Sequence, residues 1–186
     1  MKRCEGIGAN DAEDLLERYF DFMEDFRKET DRGAVLVAAA VIDDLLERTL
    51  LAYLLENESA KAVVQGFNAP LGTLAARLAA EHAMGLLRDS EKHDCELIRK
   101  IRNEFAHELN ASFDDEKIKA YCKRLRYARD HERDARNRFR TSAERVLLWM
   151  SQRPYASKNV RLKPQIWDLP AKGLPVVPHA SKHRPK

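Results

Sequence analysis

The sequence predicts an all-α protein: a helical bundle with a long basic helix and an extended Pro/Lys-rich C-terminal tail. Three observations carry this. Apolar residues recur three and four apart through the first 150 residues, no stretch alternates with the period of a strand, and six of the seven prolines fall after Ser151. Apolar side chains make up 44% of the 186 residues, enough for a single core. Residues 1–151 are therefore read as one helical domain. Residues 152–186 are read as a basic, proline-rich tail, disordered on its own.

Each element has its own signal. Helix one spans roughly Asp11 to Glu29, with Leu15, Leu16, Tyr19, Phe22, Met23 and Phe26 on one face and Asn10 or Asp11 as its cap. Helix two, roughly Arg32 to Glu56, is the most apolar, through Val35, Ala39, Ile42, Leu46, Leu50 and Leu54. A start that is apolar nearly all round has to be buried, so this helix is placed at the centre. A short helix begins after Ser59 and ends at the breaker-rich Gly66-Phe67-Asn68-Ala69-Pro70. Leu71 to Leu87 form the next helix. Ser90 caps another, which turns Leu97, Ile98, Ile101 and Phe105 inward and ends near His107 to Asn110. A final long helix runs from about Asp114 to Ser151, with apolar ends and a polar middle, Arg126 to Arg138.

Composition excludes several classes. No apolar run reaches the roughly 18 residues of a membrane span; the longest, Ala34 to Ile42, stops at Asp43-Asp44. The first residues lack the apolar stretch of a secretory signal. Cys4, Cys95 and Cys122 are odd in number and far apart, which argues against a disulfide framework and fits a reducing cytoplasm. The net charge of +3 hides a polarity: residues 1–60 hold 15 acids and 7 bases, whereas residues 117–145 hold 11 bases and 4 acids. Opposed halves suit either mutual attraction or a basic face for an acidic partner.

Two clusters could carry chemistry. In Arg102-Asn103-Glu104-Phe105-Ala106-His107, Asn103 and His107 lie one turn apart on a shared face, and the long Arg102 side chain can wrap toward them. A cation, an amide and an imidazole together can grip a phosphate and move a proton, with Arg stabilising phosphoryl charge and His acting as general base or acid. The bland alternative has Arg102 pairing with an acidic neighbour while His107 caps the helix C-terminus. The second cluster is an arginine stripe, Arg126, Arg129, Arg133, Arg136 and Arg140, spaced to line one side of a helix and to meet a phosphate backbone or a partner's acidic surface. Against that reading stand the i,i+4 pairs Arg126–Asp130, Asp134–Arg138 and Glu132–Arg136, the pattern of a solvated helix. No cofactor is expected, because Gly6-Ile7-Gly8 follows no strand and there is no P-loop. No metal is expected either, since the histidines include no H-x-x-x-H pair. Asp43-Asp44 and Glu47 are read as the wetter edge of the central helix.

Pro70-Leu71-Gly72-Thr73-Leu74-Ala75-Ala76-Arg77-Leu78, followed by Met84-Gly85-Leu86-Leu87, resembles the mannitol operon repressor (MtlR/MltR) family. Upstream, Ala38 to Glu47 looks like that family's first long helix, and downstream Ile98 to His107 also fits. The resemblance covers roughly residues 32–121. It implies an all-α transcriptional regulator working largely through protein contacts. The block Arg102-Asn103-x-x-x-His107 is also similar to the R-(polar)-x-x-x-H motif of HEPN domains, all-α and commonly dimeric folds. Many of these are metal-independent ribonucleases of toxin–antitoxin and phage-defence systems. That likeness implies Arg102 and His107 as the catalytic pair and Asn103 as polar helper, facing their copies across a homodimer. Three functions follow as expectations: a cytosolic regulator with a protein, RNA or DNA partner, a ribonuclease, or a plain interaction module. None of them calls for a membrane.

Overall fold

The computed structural model describes residues 19, 21–129, 131 and 134–165. Among them every regular element is helical, and the all-α reading holds. In chain order they are α1 (residues 21–28), α2 (Asp31–Tyr53), α3 (Glu58–Val64), α4 (Leu74–Ala83), α5 (Asp89–His107), α6 (Glu116–Lys123), α7 (Ala135–Ser151) and α8 (Arg153–Asn159). None is long and apolar enough to cross a membrane.

Helix α2 is central, packed against α4, α5, α7 and α8. Its sequence explains why. Ala34, Val35, Ala38, Ala39, Ile42, Leu46 and Leu50 are all buried, and the run of alanines lets neighbouring helices approach closely from several sides. The Thr30 side chain accepts from the Gly33 amide and starts the helix after α1. Around α2 the core is filled by Met23 and Phe26 of α1, Leu97, Ile98, Ile101 and Phe105 of α5, and Phe139, Val146, Leu147 and Met150 of α7.

Helix α4 is shorter than the Leu71–Leu87 expected. Thr73 caps its start, accepting from the Ala76 amide. At the other end Gly85, at φ 73°, bonds to the His82 carbonyl while Leu86 bonds to that of Glu81. This paired closure needs a left-handed residue, which glycine supplies without a Cβ penalty, so the helix stops at Ala83, four residues early. Ser90 is not the cap of α5 either. It lies inside the first turn and meets the Tyr127 hydroxyl at 3.0 Å, while the Glu91 carboxylate accepts from the Arg88 amide.

The largest correction concerns the single helix expected from Asp114 to Ser151, which is two helices. Helix α6 ends at Lys123, and α7 begins at Ala135 behind Asp134, whose side chain accepts from the Asn137 amide. Between them the chain turns around Asp94 of α5. This buried carboxylate accepts from the backbone amides of Arg126 and Tyr127 and from the Ser142 hydroxyl, at 2.7–3.0 Å. A carboxylate that gathers two amides outside a helix holds the backbone in a turn. Arg138 completes the join by donating to the carbonyls of Cys122, Lys123, Leu125 and Arg129 around the end of α6.

The chain after Ser151 also differs from an extended tail over its described part. Pro154 sits in the first turn of α8, where a missing N–H costs nothing, and the segment folds back on α2. Arg161 donates to the carbonyls of Ala52 and Leu51, and the Leu162 amide donates to that of Tyr53. These bonds close the C-terminal end of the central helix. Cys4, the Gly6-Ile7-Gly8 stretch, the Asn10/Asp11 cap, Leu15, Leu16, Arg133 and the chain from 166 onward lie outside the described residues.

Candidate functional site

Arg102, Asn103 and His107 all stand on the last two turns of α5, and that end is held from three sides. Phe113, in the loop after α5, packs between Phe105 and Phe139, with ring centroids 5.2 and 5.4 Å apart. Arg32 of α2 donates to the carbonyls of Glu108 (2.9 Å) and Leu109 (2.7 Å) and also reaches that of Phe105. Its guanidinium lies 6.0 Å from the centre of the Phe105 ring. Arg32 therefore does what the bland reading assigned to His107: it satisfies the orphan carbonyls at the helix C-terminus. The signal was a lone basic residue at the start of α2, about 75 positions away, and no local pattern gives that pairing.

With the helix end capped from elsewhere, the three candidate side chains are left to face outward. Arg102 is exposed and, among the described residues, its side chain makes one hydrogen bond, to Asn103 Oδ1 at 3.2 Å. It forms no ion pair with an acidic neighbour among the described residues. His107 is exposed in the last turn and makes no side-chain hydrogen bond or ion pair among the described residues. One turn earlier, Arg99 is paired with Glu96 at 2.9 Å.

Arg99, Arg102 and Asn103 form one wall of a cleft of about 550 Å³ between α2, α4 and α5. Its floor is made of small side chains, Ala39, Ala40 and Ala75, and Leu36 and Leu74 flank it. Leu36 and Leu109 are both exposed large apolar residues, Leu109 almost completely. At the far end Asp43 faces the cleft but is already committed. It accepts from Arg77 Nη1 at 2.7 Å, while Arg77 Nη2 reaches Glu47 at 2.6 Å and the Val64 carbonyl at 3.2 Å. Of the carboxylates read as a wetter edge, Asp43 and Glu47 are thus a clamp on a buried arginine that ties α2 to α3 and α4, while exposed Asp44 pairs with Arg48.

The arginine stripe does not exist as a stripe, because it needed a continuous helix. Arg126 and Arg129 are exposed in the turn between α6 and α7, Arg136 and Arg140 sit on α7, and Arg133 lies outside the described residues. Arg136 pairs with Asp31, and Arg140 donates to the carbonyls of Arg27 and Glu29 at 2.7 Å. Both brace α1 and α2.

Beneath the surface lie groups whose ionisation the fold controls. Glu81 of α4 is buried with neither carboxyl oxygen hydrogen-bonded, and burial pushes its pKa up to about 9 despite the charges of Arg153 and Arg77. Next to it, Glu91 of α5 is held by Arg153, which also donates to the Leu86 carbonyl. Burial raises the Cys95 thiol well above its ordinary value and pushes Cys122 up to about 12, so neither is a nucleophile at neutral pH. Among the described residues no three His, Cys, Asp or Glu side chains gather as a metal site requires.

Compared with protein families, curated proteins and solved structures, the chain matches none of them.

Proposed function

We propose that the chain is a cytosolic regulatory protein of the mannitol operon repressor kind, a helical homodimer that works through a contact made at the end of α5. The observation that supports this is a polar cluster the fold leaves unused. Arg102 and His107 form no ion pair with any described residue; Arg102 lines a cleft with exposed Leu36, and His107 stands two positions before exposed Leu109 on a helix end that Arg32 holds. Polar groups next to exposed apolar side chains on a rigid support are what a partner surface requires. The test compares wild type with Arg102→Ala. Sedimentation reads the homodimer, and anisotropy of labelled RNA and DNA at two salt concentrations reads nucleic-acid contact, with pull-down for a protein partner. An Arg102→Ala chain that dimerises and binds as wild type does would refute the assignment of this face.

The same cluster favours a second reading, a metal-independent endoribonuclease of the HEPN type. In that reading His107 takes the proton from a ribose 2′-hydroxyl as its oxygen attacks phosphorus. The 5′-oxygen departs, taking a proton from water, to leave a 2′,3′-cyclic phosphate, and Arg102 stabilises the developing phosphoryl charge with Asn103 orienting it. Incubation with total RNA in excess EDTA separates the two. Cleavage by wild type and not by His107→Ala establishes the ribonuclease, and no cleavage by either removes it.

A further inference from the structure

On the side of α2 away from the α5 cleft, a cavity of about 560 Å³ lies among α1, α2, α7 and α8. Its volume falls within the roughly 300–1,000 Å³ of small-molecule sites. The body of the cavity is apolar, formed by Phe22, Val41, Leu45, Leu51 and Leu147, with Tyr19 and Tyr155 at its edges. Among the described residues its charged lining has one sign, with Arg48, Lys158 and Arg161 present and no carboxylate. From this we propose that the cavity binds a small amphipathic organic anion, an aliphatic or aromatic carboxylate whose apolar body fills the cavity while its carboxylate meets the three cations.

The present partners of those cations leave room for a ligand. Lys158 makes no ion pair among the described residues, and its ammonium lies 5.6 Å from the centre of the Tyr155 ring. Arg48 is paired with Asp44 at 2.9 Å and Arg161 with Glu56 at 2.6 Å, and both acids are at least half exposed. Such surface pairs are weak, so a carboxylate entering from the apolar side can replace or share them. Arg161 is also fixed in place by its bonds to the Ala52 and Leu51 carbonyls. One cation is therefore preorganised and one is unpaired. Tyr19 is less suited to hold the ligand's charge, because its hydroxyl donates to the Glu144 carbonyl at 2.8 Å. An apolar cavity alone would accept any hydrophobic body, and it is the one-signed lining that selects an anion. The proposal rests on neither functional reading of the α5 face.

The probes are decanoate, decanol and decyltrimethylammonium, titrated into the full chain by calorimetry, with sedimentation run alongside. Saturable decanoate binding is expected, with decanol and the cation weaker. Lys158→Gln is expected to weaken decanoate about tenfold, the scale of one hydrogen bond to a charged group. Leu51→Trp, which fills the cavity, is expected to abolish binding while the circular dichroism stays unchanged. Three results overturn the proposal: no decanoate binding, equal affinity for decanol, or decanoate binding that survives both variants. A Leu51→Trp chain that shifts from dimer to monomer also overturns it, because the cavity would then be covered by a second copy of the chain.

Discussion

Glu81→Gln should stabilise this protein by an amount that grows with pH. The reason is the burial of a carboxyl with no hydrogen-bond partner for either oxygen, which raises its pKa from 4.5 to about 9. A group whose folded pKa is raised binds its proton more tightly in the folded state. Its penalty is absent below the unfolded pKa of 4.5 and accumulates as the pH climbs toward 9. At ~1.36 kcal/mol per unit, folding with Glu81 costs about 1 kcal/mol at pH 5 and about 3 at pH 7. By pH 9 the figure approaches ~6 kcal/mol, comparable with the whole stability of a domain, and the wild type would escape it by opening locally. The clean comparison is therefore pH 5 against pH 7. Glutamine keeps the shape and cannot ionise, and the rest of the chain titrates equally in both proteins. Urea unfolding of wild type and Glu81→Gln at the two pH values should show the stability difference widening by about 2–3 kcal/mol in favour of glutamine. An equal difference at both pH values would refute the reasoning. It would mean that Glu81 is ionised in the fold, satisfied by Arg153 or Arg77.

Three further outcomes follow from the same structure. Arg77→Met should destabilise the fold by about 2–3 kcal/mol in urea, below the ~3–5 of a fully buried pair because Asp43 and Glu47 keep partial hydration; an unchanged midpoint would mean that the clamp contributes nothing. Arg102→Ala should leave stability within about 0.5 kcal/mol of wild type, since its side chain bonds only to the adjacent Asn103 among the described residues. A large fall in melting temperature would return the cluster to a structural role. Alkylation of the native protein at neutral pH, mapped by mass spectrometry, should spare Cys95 and Cys122 until denaturant is added, and rapid native labelling of either would contradict their burial.

The residues differ in how much of this they announce. The central place of α2 is legible because Ala34 to Leu46 is apolar on more than one face, and the end of α5 near His107 is legible from its own periodicity. The break between α6 and α7 is not. The segment Arg126–Arg138 has good helix formers and apparent i,i+4 pairs, and what unwinds it is Asp94, more than thirty positions upstream, collecting two amides and a hydroxyl. Arg138 then spends its guanidinium on carbonyls rather than on Asp134. The same limit applies at the candidate site. The cluster Arg102, Asn103 and His107 is visible as a motif, but its freedom from structural duty depends on Arg32, which only the tertiary packing brings to the end of α5. Local sequence reports propensity and period, whereas a long-range hydrogen bond to a backbone end leaves no local trace.

The closure of α2 by Arg161 and Leu162 bears on how the molecule comes to be made. The helix at the middle of the bundle leaves the ribosome well before the groups that finish its last turn, which sit more than a hundred positions later. Until those late residues arrive, the carbonyls of Leu51, Ala52 and Tyr53 have only water to bond, and the apolar surface that α8 covers stays open. Completion of the bundle thus waits for residues 161 and 162 by its own wiring, and a nascent chain stalled before α8 would present an unfinished centre to any chaperone waiting nearby.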